Sequence, residues 1–210
     1  MSGVLVLDYG SGNVESVFNA MRRVSDSVSR SSDVDDLARA DAVVIPGVGA
    51  FPAFMASLER LNLVEPVRAA IAHGMPALGI CVGMQAMGRL GMEHEPTPGL
   101  ALTDGTVESL RSLGVLSRRV PHVGWNDIRL AEDLPSDSPL RVLEDRDVYF
   151  MHSFAYPADA PGAVGWTDYE TEFCSVIQKG PAMGIQFHPE KSQRSGLDFL
   201  HAWVRSAGSS

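Results

Sequence analysis

The chain has 210 residues, 45% hydrophobic and 20% charged, enough for one well-cored domain and short for two. Its 17 Lys and Arg against 26 Asp and Glu give a formal charge of -9 with no basic cluster, which argues against nucleic acid as a partner. No apolar run approaches the roughly 18 residues of a membrane span, and the opening MSGVLVLDYG lacks a basic region and is interrupted by Asp8, so a cytoplasmic protein with no membrane contact is expected.

In chain order, the first half alternates short β-branched runs with amphipathic stretches: 4–7 then 14–24, 42–45 then 51–73, 77–80 then 83–90. Such alternation predicts βαβ units, and the nearly continuous apolar strands predict a sheet covered by helices on both faces. From about Pro96 the pattern changes to shorter candidate strands at 103–108, 123–129, 148–152, 163–167, 174–178 and 183–187, punctuated by Pro and Gly as hairpins require. A final helix over 193–205 precedes a polar tail at 207–210. The fold expected is α/β, an open, mostly parallel central sheet flanked by helices, with additional antiparallel strands in the C-terminal half. One domain over 1–206 is expected, without internal repeats.

Ligands of open α/β sheets bind beyond the carboxyl ends of the strands, which directs attention to DYGSGN at 8–13, PGVGAF at 46–51 and GICVGMQ at 79–85. Gly10-x-Gly12 lacks the third glycine of a dinucleotide fingerprint, since position 15 is Glu15. A tight turn with Ser11 or Asn13 capping the first helix is the simpler account. Gly79-x-Cys81-x-Gly83 has the layout of a nucleophile elbow, a strained strand-to-helix turn whose small neighbours let strand and helix approach. The following helix would aim its N-terminus at Cys81 and favour the thiolate. On this pattern alone, a small buried core residue is a standing alternative. The second cysteine, Cys174, and Cys81 are both expected as free thiols.

A thiolate nucleophile works with a histidine, and the histidine with an acceptor that orients it. Gln186-Phe187-His188-Pro189-Glu190 supplies both, because the residue before proline is extended and extended residues two apart face one side. A surface His and Glu at a strand end is the plainer alternative. The other five histidines are not followed by Pro and a carboxylate, and none forms a metal-ligand spacing with a cysteine; no metal and no cofactor are expected. The backbone N–H of Val82 would face a developing oxyanion, with a second donor from Val48 in the Pro46-Gly47-Val48-Gly49 loop, unless that loop is an ordinary glycine turn.

Taken together, GICVGMQ, PGVGAF and QFHPEK resemble the class I glutamine amidotransferases, whose domains are open α/β sheets with a Cys-His-Glu triad. The resemblance implies that Cys81 attacks the glutamine carboxamide, that His188 protonates the ammonia and then activates water, and that Glu190 orients His188. It also implies substrate contacts at Gly49, Gln85, Ser153 and Phe154. The further motifs DYGSGN, PHVGWN at 121–126 and MHSF at 151–154 are similar to the glutaminase subunits of imidazole glycerol phosphate synthases, whose partner is a (β/α)₈-barrel cyclase. That likeness implies a heterodimer passing ammonia between subunits, with Asn13, Trp125, Tyr149 and Lys191 at the partner interface. A glutaminase subunit of pyridoxal phosphate or anthranilate synthase, or a catalytically silent partner-binding domain, is the alternative.

Overall fold

The structure, a computed structural model, describes residues 3–10 and 13–208. β1 (Val4–Leu7) is buried at all four positions, as aliphatic side chains on a strand covered on both faces should be. α1 (Asn13–Arg22) turns Val14, Val17, Ala20 and Met21 inward at helical spacing. The Ser11 cap suggested by the sequence lies outside the described residues. β2 (Val28–Ser31) is partly exposed throughout, and α2 (Val34–Arg39) opens on Asp33, whose carboxylate accepts from the Asp35 N–H at 2.7 Å.

β3 (Ala42–Gly47) is again fully buried. The amphipathic stretch 51–73 forms two helices, α3 (Phe51–Arg60) and α4 (Val64–Ala72). Asn62 separates them with a φ of 53°, and the Leu63 N–H donates back to Leu58 O at 2.9 Å. β4 (Ala77–Cys81) leads directly into α5 (Val82–Gln85).

The helix expected over 83–90 is therefore a single turn ending at Gln85. Its continuation is pre-empted by distant groups. The Tyr156 hydroxyl donates to Gln85 O at 2.7 Å, the Leu100 N–H to Ala86 O at 2.6 Å and the Leu102 N–H to Met87 O at 2.8 Å. Carbonyls that would have served another helical turn are satisfied by the 100–103 segment and by a side chain.

The second half is strand-rich: β5 (Leu90–Gly91), β6 (Thr97–Pro98), β7 (Thr106–Ser109), β8 (His122–Asn126), β9 (Arg129–Leu130), β10 (Val148–His152), β11 (Phe154–Pro157), β12 (Ala163–Asp168), β13 (Glu172–Lys179) and β14 (Ala182–Ile185), closed by α6 (Gln193–Ala207). Twelve strands form one sheet in the order β2-β1-β3-β4-β14-β13-β11-β7-β5-β6, with β12 and β9 branching from β13. The β2-β1-β3-β4-β14 portion is parallel, and β13 begins the antiparallel part. β8 and β10 form a separate antiparallel pair.

The register positions the site. Gly47 lies beside Cys81, and Ile80 beside Ile185, so β3, β4 and β14 end at one level. The loops after those three strands are PGVG, the Cys81 turn and QFHPE.

Candidate active site

Cys81 has φ 53° and ψ -111°, a strained conformation for a residue with a Cβ. The turn holds because its neighbours have none. A Cβ on Gly83 would lie 1.9 Å from Ile45 O, and one on Gly79 would lie 2.7 Å from Gly83 O. These separations lie inside van der Waals contact, so the strand-to-helix approach that lifts Cys81 requires glycine. The expectation of a long helix aimed at the sulfur is corrected: α5 has four residues, and a macrodipole needs more aligned peptides than that.

His188 lies beyond the end of β14 with φ -102° and ψ 98°, extended as Pro189 demands. Glu190 reaches it by a different route from the alternation the sequence suggests. Pro189–Lys191 is a 3₁₀ turn, and the turn brings Glu190 Oε1 to 2.8 Å from His188 Nδ1. The pair is sealed, with side-chain exposures of 0% and 1%. The Asn13 amide donates to the same Oε1 at 3.1 Å. The His188 N–H donates to Tyr149 O at 2.8 Å and the Ser192 hydroxyl to His188 O at 2.7 Å, fixing the turn to β10.

With Nδ1–H given to Glu190, Nε2 is the free corner of the imidazole, and it is buried with no hydrogen-bond partner among the described residues. Burial alone would pull the His188 pKa down. The Cys81 sulfur, and after it the Glu190 carboxylate, outweigh burial and push it up to about 10. Burial likewise opposes charge on Glu190, yet the His188 and Asn13 donors hold its carboxyl below the usual range. The arrangement favours an imidazolium held against the Glu190 carboxylate and facing the Cys81 sulfur.

Cys81 and His188 share a cavity of about 170 Å³ whose walls include Gly49, Gln85, Ser153 and Phe154. That is room for a small metabolite, well below the usual size of a drug-sized ligand pocket. Gln85 Nε2 donates to Phe154 O at 2.8 Å and to Gln186 Oε1 at 3.0 Å. Val82 is the first residue of its helical turn, where an N–H has no helical acceptor. Val48 lines the cavity as well, but its N–H donates to the Tyr9 hydroxyl at 3.1 Å, so in this structure it is already engaged.

Several neighbours escaped sequence reasoning. Gln186 Nε2 lies 3.6 Å from Cys81 Sγ. His152 lines the cavity and donates from Nδ1 to Phe154 O at 2.9 Å, while His122 Nδ1 lies 3.1 Å from His152 Nε2. Burial pushes His122 down to about 4; burial and the neighbouring His122 push His152 down to about 3. Both are neutral hydrogen-bonding groups at pH 7. Their signal, two histidines at facing positions of paired strands, exists only once the register is known.

Both cysteines are free, and burial pushes the Cys174 thiol up to about 12. Trp125 and Tyr149 face one another across β8 and β10 with ring centroids 5.9 Å apart, Trp125 being 45% exposed. Lys191 is exposed, and Asn13, whichever partner it meets, has its amide turned toward Glu190.

The profile of the family described as Glutamine amidotransferase class-I matches residues 5–204. A protein of Symbiobacterium thermophilum named imidazole glycerol phosphate synthase subunit HisH is 41% identical over 206 residues, covering 98% of this chain and 94% of that one. One of the same name from Renibacterium salmoninarum is 38% identical, covering 98% and 95%. Among solved structures, a glutamine amidotransferase superposes with a TM-score of 0.74 at 16% identity over 98% of this chain and all of the other. PurLQS from Thermotoga maritima superposes at 0.71 and 17% identity over 98% and 99%. At such identities the two structures speak to the fold alone.

Proposed function

The chain belongs to the class-I glutamine amidotransferase family, and from that membership we propose how its Cys81 cavity works. It is the glutaminase subunit of imidazole glycerol phosphate synthase, an enzyme of histidine biosynthesis that hydrolyses glutamine to glutamate and ammonia. The observation that supports the mechanism is the sealed His188–Glu190 pair, with its free Nε2 and the strained Cys81 turn in one cavity.

The Cys81 thiolate adds to the carboxamide carbon of glutamine, and the carbonyl oxygen becomes an oxyanion facing the Val82 N–H. The His188 imidazolium passes its Nε2 proton to the departing nitrogen, and ammonia leaves a glutamyl thioester. Acylation itself prepares the next step. The Cys81 sulfur leads the groups that raise the His188 pKa, so esterifying it weakens the hold on the imidazolium while burial continues to favour the neutral ring. Neutral His188 then takes a proton from water as water adds to the thioester, and glutamate departs. Glu190, held by Asn13, keeps the proton on Nδ1 throughout. Gly49, Gln85, Ser153 and Phe154 surround the substrate.

Ammonia released into water becomes ammonium and is no longer a nucleophile, so it must pass directly to a synthase subunit. That partner is a (β/α)₈-barrel cyclase in a cytoplasmic heterodimer. Its docking face is the β8–β10 pair, where Val123, Trp125 and Met151 are 53%, 45% and 38% exposed. Tyr149 and Lys191 flank it. The family assignment disfavours other acceptor enzymes and a silent domain.

The test is glutamate release by the chain mixed with its cyclase and the pathway's phosphoribosyl nucleotide, for wild type and Cys81→Ala. Stimulated release abolished in the variant is the expected result. Undiminished release by Cys81→Ala overturns the nucleophile assignment, and stimulation only by a different acceptor overturns the placement in histidine biosynthesis.

A further inference from the structure

Two amides deep in the site have orientations that follow from one backbone carbonyl. Phe154 O can only accept, so the atom that Gln85 presents to it at 2.8 Å is Nε2. That Nε2 carries a second hydrogen, directed at the Gln186 side chain 3.0 Å away, and Gln186 must answer with Oε1. Its own Nε2 is thereby turned to the opposite side, where it lies 3.6 Å from Cys81 Sγ. The His152 Nδ1–H takes the other lone pair of Phe154 O at 2.9 Å and reinforces the anchor.

Gln186 cannot relax out of this arrangement. The residue is 0% exposed, and its backbone N–H is bonded to Ser175 O at 2.9 Å. A buried primary amide without partners is costly, so the side chain is held between Gln85 and the sulfur. The sulfur also lies 3.9 Å from Met151 O, an acceptor that suits a neutral thiol and repels an anion. Gln186 thus places a neutral donor within hydrogen-bond reach of the sulfur, beside the His188 imidazole, when the sulfur is charged.

We propose that Gln186 is a catalytic residue of the glutaminase reaction, its side-chain amide donating to Cys81 Sγ and stabilising the thiolate that attacks glutamine. The inference rests on the reading of Cys81 as nucleophile. A donor to sulfur makes each thiolate less nucleophilic, but by only about half of what it adds to the thiolate population on a logarithmic scale, so the attack is faster on balance. The same donor eases the later step in which the sulfur leaves the thioester and takes its charge back.

The full chain is treated with iodoacetamide across a pH series, and alkylation is followed separately at the Cys81 and Cys174 peptides by mass spectrometry. Wild type is compared with Gln186→Met, which removes the donor at similar length, and Gln186→Glu, which keeps an acceptor for Gln85 and turns a carboxylate toward sulfur. In both variants the pH midpoint of Cys81 alkylation is expected to rise by the scale of a hydrogen bond to a charged group, most in Gln186→Glu, and alkylation at neutral pH to fall about 3- to 10-fold, about half of that change on a logarithmic scale. Cys174 is fully buried and stays unlabelled while the fold is intact. A merely structural role would expose Cys174 or lower Tm while leaving the Cys81 midpoint in place. A folded variant of either kind with the wild-type midpoint overturns the proposal. If instead Cys81→Ala retains partner-stimulated glutamate release, the nucleophile reading fails first and this one with it; a dead Cys81→Ala beside an unshifted Gln186→Met overturns this proposal alone.

Discussion

The Val48 N–H donates to the Tyr9 hydroxyl at 3.1 Å, so a backbone donor at the edge of the Cys81 cavity is held by a side chain from the end of β1. On the proposed mechanism, an oxyanion formed at the elbow would then meet the Val82 N–H without help from Val48. One such donor is commonly worth about 10² to 10³ in kcat. Tyr9→Phe removes the competing acceptor and leaves Val48 free to turn inward. Glutamate release by the chain without its partner is expected to rise roughly tenfold, a fraction of that range. A folded Tyr9→Phe with unchanged or lower unstimulated turnover would show that Tyr9 supports the loop rather than restrains it.

Glu190 Oε1 accepts from both His188 and Asn13, and the two bonds differ in consequence. Glu190→Gln presents either an acceptor or a donor to Nδ1 and no longer enforces one tautomer, so stimulated kcat should drop by about 10³ or more with KM for glutamine little changed. Asn13→Ala leaves the carboxylate but loosens it, with an expected loss of about tenfold, the scale of one bond to a charged group. Steady-state kinetics on both variants checks the ranking, which fails if Asn13→Ala is the more damaged.

The His188 pKa is raised from 6.5 to about 10, above its unfolded value, so the stability it contributes is fully present below about pH 6.5 and is lost as pH rises toward 10. Glu190 has a lowered pKa, and its contribution is present above its model value of 4.5 and is lost as pH falls. The Tm difference between wild type and His188→Asn should therefore be largest between those two limits and shrink toward alkaline pH. A difference that grows as pH rises from 7 to 10 would mean that His188 is neutral in the resting protein.

Much of this site could be read from the sequence because its chemistry is local. Gly79, Cys81 and Gly83 specify their turn within five residues, and Pro189 extends His188 directly. β1, β3 and β4 were legible because full burial leaves uninterrupted aliphatic runs. β2 was not, since VSRS at a sheet edge carries no such pattern and only its pairing with β1 reveals it. The premature end of α5 depends on Tyr156 and on Leu100, both far along the chain. Gln186 and Tyr9 gain their meaning from contacts 105 and 39 residues away, which no local pattern encodes.

The β8–β10 pair joins the outer surface to the reacting groups through one strand. Val123 opposes Met151 and Trp125 opposes Tyr149 in the register, which gathers the exposed apolar side chains on one face. Met151 also lines the cavity, and Tyr149 O accepts the His188 N–H, so pressure on this face acts directly on the backbone that carries His188. Trp125→Ala should weaken cyclase binding by about 2 kcal/mol or more, as large aromatic anchors do, which is roughly 30-fold or more in Kd. Val123→Asp, which buries a carboxylate on docking, should weaken it further. Iodoacetamide labelling of Cys81 in the free chain should remain at the wild-type rate in both, because neither side chain touches the sulfur. Binding titrations that leave both variants at wild-type affinity would move the cyclase to another face, and altered labelling in the free chain would show that the strand, rather than the docking, had been disturbed.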